Sequence, residues 1–79
     1  MAVTPDEIKS LDGKDISLTF SDRCSLDVRV VETMHLDEGD DFAADVLRVH
    51  CRISEHWHPE IGTTINILLS DIVELRRLE

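Results

Sequence analysis

Apolar and polar residues alternate with a period of two along most of this chain, and the alternation breaks at a few definable points. Ile16, Leu18 and Phe20 alternate with Asp15, Ser17 and Thr19, the pattern of a half-buried strand. Ser21-Asp22-Arg23 reads as a hairpin turn. The alternation resumes at Leu26, Val28 and Val30, breaks at the doublet Val30-Val31, and runs on to Leu36. A doublet inside an alternating strand predicts a bulge or sharp bend. A third strand is predicted over residues 42–53, with a second change of phase at Val46-Leu47. Beyond it Leu47, Val49, Cys51 and Ile53 share one face, and Arg48, His50 and Arg52 share the other. Residues 63–69 form a fourth strand with Ile65, Ile67 and Leu69 inward; Ser70-Asp71 is a short turn, and residues 72–78 are the last strand. Ahead of the strands, Thr4 or Asp6 caps a short helix running to about Leu11, with Pro5 at its first position. Asp12-Gly13 ends it.

One short N-terminal helix followed by five strands in a meander predicts a mostly β fold, a five-stranded SH3-like barrel occupying residues 1–79 as a single domain. The predicted core is Leu18, Phe20, Val28, Val30, Leu47, Val49, Ile65, Ile67 and Leu69. The fourth and fifth strands are the expected edges. The fourth, Thr-Thr-Ile-Asn-Ile-Leu-Leu, carries no charge. It therefore lacks the lysine, proline or inward charge that keeps an edge strand from pairing with another chain.

The order of helix, four strands, one-turn break and fifth strand resembles the Sm-like branch of the SH3-like barrels. The stretches 11–22 (LDGKDISLTFSD) and 65–75 (INILLSDIVEL) carry the likeness. The resemblance implies rings built by pairing the fourth strand with a neighbour's fifth, and single-stranded RNA bound at motifs on the third strand and the fourth-to-fifth turn. Those motifs include an asparagine after an acidic residue and an Arg-Gly pair. Residues 42–53 contain no asparagine, and the turn is Ser70-Asp71. A second likeness is to the bacterial Rho-inhibitor (Rof-type) proteins, small acidic Sm-like barrels that block an RNA-binding surface on a basic partner. Size and charge match, and His58-Pro-Glu-Ile-Gly62 is similar to a stretch that lies in the last strand of that family, whereas here it precedes the fourth.

Charge sharpens this picture. Seventeen acids against eight Lys and Arg give a formal net charge of −9 over 79 residues. Such a field opposes phosphate backbones and anionic membranes and favours a basic protein partner. The two cysteines, Cys24 and Cys51, are too few and too far apart for a disulfide scaffold, which reads as reduced thiols in a cytoplasmic protein. The N-terminus has no basic and apolar regions of a signal peptide, and no apolar run reaches membrane-spanning length. Leu78 fits the last strand, while Glu79 has the look of a cloning remnant.

Candidate chemistry is sparse. Asp37, Glu38, Asp40 and Asp41 surround Gly39 in a loop that lacks the spacing of a calcium-binding hand. It reads as a solvated tip or as a docking surface for a basic partner. Trp57, the one tryptophan, either caps the open end of the barrel or anchors a contact. Arg48, His50 and Arg52 form a polar stripe, with Arg29 able to lie beside them, that pairs within the chain or meets carboxylates of a partner. His50, His56 and His58 offer imidazoles to a metal, but no closed set of four ligands is recognisable. No nucleophile elbow, phosphate loop or dinucleotide fingerprint is present, so neither catalysis nor a cofactor is expected. The reading is a small acidic protein-interaction or regulatory module that self-associates, as a dimer before a ring; the alternatives are an Sm-like RNA-binding protein and a small metal-site protein.

RNA binding is expected to be weak, because backbone electrostatics supply most non-specific affinity and here oppose it. A fluorescence-polarisation titration with short uridine- and adenosine-rich oligomers at about 100 mM salt, where the Debye length is about 10 Å, should show no submicromolar binding. A submicromolar Kd would reinstate the RNA-binding alternative.

Overall fold

The helix forms where the capping residues put it. In a computed structural model, which describes residues 3–21, 23–50 and 60–78, helix α1 spans Pro5–Ser10 with Thr4 as its N-cap. The Thr4 hydroxyl accepts the Glu7 amide at 3.3 Å, satisfying one of the free donors of the first turn. Ile8 and Leu11, three residues apart, both point into the core. Gly13 follows with φ +77°, a left-handed conformation that glycine adopts without a steric penalty. Its amide donates to the Val30 carbonyl at 2.8 Å, which fastens the turn to the sheet.

The strands are β1 (Asp15–Phe20), β2 (Ser25–Glu32), β3 (Asp41–Val49), β4 (Thr64–Leu68) and β5 (Ile72–Arg77). All neighbours are antiparallel, in the order β4-β3-β2-β1-β5. Both expected bulges are present. Arg48 lies opposite Asp27 while Val46 lies opposite Val28, so Leu47 is the extra residue on β3. Val30 lies opposite Ala44 and Glu32 opposite Ala43, so Val31 is the extra residue on β2. Each bulge increases local twist and bends its strand, and the bend lets one small sheet curl around one core. That core contains Ile16, Leu18, Leu26, Val28, Val30, Phe42, Ala44 and Ile67, closed by Ile8 and Leu11 of the N-terminal segment.

Several expectations need correction. Among the described residues the sheet does not close into a barrel: β4 and β5 end the strand order and do not pair with each other. The fold is mostly β with five antiparallel strands and one short helix, as the alternation predicts, but it is an open sheet. The second strand stops at Glu32 instead of running to Leu36. Once Val31 has dropped out of the ladder, residues Met34–Asp37 wind into a 3-10 turn closed by Leu36 N–H to Thr33 C=O at 3.1 Å. Leu36 is still buried, by the turn and not by strand alternation. Leu47 is half-buried and outside the core, because the bulge lifts it out of phase. Val49 and Ile65 are partly buried against the core, and Leu69 is buried from a 3-10 turn (Leu69–Asp71) beyond the end of β4.

Cys24 is disulfide-bonded, which overturns the reading of reduced thiols. The pairing of β2 with β3 explains why distance along the sequence misled: His50 N–H donates to the Ser25 carbonyl at 2.8 Å, joining the end of β3 to the residue after Cys24. Cys51, the other cysteine of the sequence, lies outside the described residues. The cytoplasmic expectation rested on reduced thiols, and disulfides persist in oxidising compartments. No helix among the described residues is long and apolar enough to cross a membrane.

Ile67 is 3% exposed and lies opposite Phe42, so it is the residue that fastens the edge strand β4 to the core. Ile67→Ala should cost about 2–5 kcal/mol in a urea-unfolding experiment. A melting temperature within a degree or two of wild type would show that β4 contributes little to the core.

Candidate functional site: a polar cleft on the sheet

Residues that alternate away from the core meet on the opposite face of the sheet. Cross-strand pairing sets Arg76 of β5, Ser17 of β1, Asp27 of β2 and Arg48 of β3 in one row. The next row brings Thr19 opposite Ser25, and the backbone bond from His50 to Ser25 places the imidazole beside them. Ser17, Thr19, Ser25, Asp27, His50, Arg76 and Leu78 line a cleft of about 350 Å³.

Asp27 is the centre of the cluster. It is a buried carboxylate, 4% exposed, flanked in its own strand by the core residues Leu26 and Val28. Its Oδ2 lies 3.0 Å from His50 Nε2 and accepts from Arg48 Nη1 at 3.3 Å. The Ser17 hydroxyl bonds to the same carboxylate. Burial pushes the Asp27 pKa up, but the hydrogen bond and charge of His50, with the Ser17 and Arg48 hydrogen bonds, outweigh it and hold the group below its ordinary value. Buried carboxylates persist when their lone pairs are met in this way. Beside the cluster, Thr19 Oγ1 and Ser25 Oγ share a hydrogen bond at 3.1 Å. Asp15 accepts from Arg29 Nε at 2.8 Å, and that guanidinium holds the Asp15 pKa below its ordinary value against the smaller effect of burial.

No protein-family model, curated protein or solved structure matches this chain. The likeness to Sm-like and Rho-inhibitor proteins drawn from the sequence therefore has no support from known relatives. What the five-stranded antiparallel sheet supports is a small β-barrel-like fold.

The residues singled out from the sequence fall in two places. Arg48 and His50 come together on Asp27, so this part of the polar stripe is paired within the chain. Arg29 lies one row away on Asp15. Arg52, Trp57, His56 and His58 lie outside the described residues. Asp37, Glu38, Asp40 and Asp41 sit at the join between the 3-10 turn and β3. Asp37 forms an ion pair with Lys9 of α1, and Asp41 Oδ2 lies 3.6 Å from His35 Nδ1. Glu38 and Asp40 are exposed and make no ion pair among the described residues. The Asp40 carbonyl accepts the Leu69 amide at 2.7 Å, which ties the acidic turn to the end of β4. Among the described residues no cluster of three or more His, Cys, Asp or Glu side chains could hold a metal ion.

Asp27, Ser17, Thr19, Ser25 and Arg76 were not anticipated as a group. Each reads as an ordinary outward residue of an alternating strand. The signal was the phase change at Val46-Leu47: placing the bulge at Leu47 sets Arg48 against Asp27.

The lowered Asp27 pKa fixes the sign of a pH effect. Above the unfolded value of 3.8, the folded protein gains stability from ionised Asp27; the gain is lost as pH falls through the lower folded pKa. Asp27→Asn should therefore be less stable than wild type by urea unfolding at about pH 7, with the gap narrowing towards about pH 3. A gap that is constant with pH would show that the carboxylate charge contributes nothing to folding.

Proposed function

We propose that this protein is an acidic interaction module that associates through the open edges of its sheet, first with a second copy of itself. The observation that carries the reading is the strand order, which among the described residues leaves β4 and β5 each without a neighbour on one side. β4 presents Thr-Ile-Asn-Ile-Leu with no charge and no proline along its edge. Strands of this kind pair readily with an added strand. Apolar side chains accompany both edges: Leu68 is 49% exposed and Val73 is 55% exposed.

Charge gives the association a direction. β5 ends in Arg76-Arg77, and neither residue makes an ion pair among the described residues. At β4, Asp45 and Glu60 lie at the Thr64 end and Glu38 and Asp40 at the Leu68 end. A second copy adding its β5 to β4 would bring its arginines towards acids in either orientation. A different basic protein could use the same edge, with Glu38 and Asp40 meeting its cations. Opposing this, −9 per copy accumulates with each chain added, so a dimer precedes a larger ring.

Size exclusion with light scattering, at tens of micromolar protein and two salt concentrations, tests the proposal. The expected mass is at least twice the 9.0 kDa of one chain, rising with salt as repulsion is screened. Asn66→Pro, which puts a proline on the β4 edge, should return the mass to that of one chain. A single-chain mass for wild type at both salts would overturn the proposal.

A further inference from the structure

We propose that the polar cleft is a binding site for a small monocarboxylate, held by the Arg76 guanidinium. Three observations carry this. The first is a charge balance. Asp27 already receives Arg48, His50 and Ser17, so its charge is met without Arg76. Arg76 also lines the cleft, and among the described residues it has no ion-pair partner, in a chain with seventeen acids. Glu74, two residues earlier on the same face, makes no ion pair with it. Among the described residues the cleft therefore carries a cation left over after its internal pairing.

The second is shape. About 350 Å³ lies at the low end of volumes that hold small molecules. Ser17, Thr19 and Ser25 supply hydroxyls at its wall and Leu78 an apolar contact. The third is selectivity. The planar fork of a guanidinium matches the two oxygens of a carboxylate. A dianion or polyanion meets the −9 field and the buried Asp27 at greater cost than a monoanion. The occupant that fits is a carboxylate on a short aliphatic stem, with its oxygens on Arg76 and its stem towards Leu78.

The probe is butyrate, added to uniformly ¹⁵N-labelled full chain and followed by amide and arginine Nε chemical shifts. The expected result is a saturable, millimolar titration centred on Ser17, Thr19, Asp27 and Arg76. Butyramide, the uncharged analogue, should leave those signals unmoved. Arg76→Gln lies at an exposed strand position and should weaken butyrate about tenfold or more, the loss expected for one charge-assisted contact. Arg77→Gln, one residue on and facing the other way, should bind as wild type does. Four results would each overturn the proposal: a linear, non-saturating response; equal shifts with butyramide; equal weakening by Arg77→Gln; or inorganic phosphate binding more tightly than butyrate. The wild-type comparison of butyrate with butyramide decides the matter even if a variant fails to fold.

Discussion

The structure turns on β2, the middle strand of five, which is buried along its core face and, at Asp27, on its other face as well. Leu26, Val28 and Val30 are fully buried on one side, and Asp27 is 4% exposed on the other. A central strand buried on one side needs only apolar alternation. Buried on both sides, it must also satisfy whatever its second face carries. Here that is a carboxylate, and both neighbouring strands contribute to meeting it: Ser17 from β1, Arg48 from β3 and His50 from just beyond β3. The same residue that makes β2 hard to bury thus ties its two neighbours together.

The two bulges follow from the same constraint. A flat ladder could not keep Val28 and Val30 inward against Val46 and Ala44 and also set Arg48 against Asp27. The side-chain period of a strand is two, so Val46 and Arg48 would share a face. Inserting Leu47 reverses that parity, letting Val46 point to the core and Arg48 to the carboxylate. The insertion of Val31 acts at the other end, releasing the chain into the 3-10 turn that buries Leu36 and carries the acidic residues. The bulges therefore place both charged features of the surface, the polar cleft and the acidic turn.

This is also where the sequence was legible and where it was not. Doublets such as Val30-Val31 and Val46-Leu47 disclose a bulge because apolar residues cannot alternate across them. The capped helix was readable for a similar local reason, since Thr4-Pro5 is a start signal. The edges β4 and β5 followed from the expected SH3-like barrel order and not from a local pattern, because a simple meander would leave its first and last strands outermost. The Asp27 cluster depends on which residue of β3 lies opposite which residue of β2, a relation between segments some twenty residues apart that no local pattern states. Cys24 was misread for the same reason, since the pairing that brings His50 to Ser25 is not visible in the spacing of two cysteines.

An open sheet of this size sets its own functional terms. Its core, closed at one side by Ile8 and Leu11, is made of packed apolar side chains, and the polar cleft lies on the outer face of the sheet. Two kinds of surface are left. Among the described residues β4 and β5 have no neighbour on one side, and backbone of that kind can recognise another strand with little dependence on its sequence. The polar face offers side chains in fixed rows, which recognise particular groups. Arg76 stands where the two meet, on the edge strand β5 and in the row that contains Asp27. A strand added to β5 would cover the flank of the cleft, and a ligand on Arg76 would remove one of the cations that edge presents. By linkage, whichever event favours one must bias the other by the same factor. If the protein associates through β5 and binds a carboxylate at Arg76 as proposed, the two events would be coupled by position alone, without any movement of the sheet.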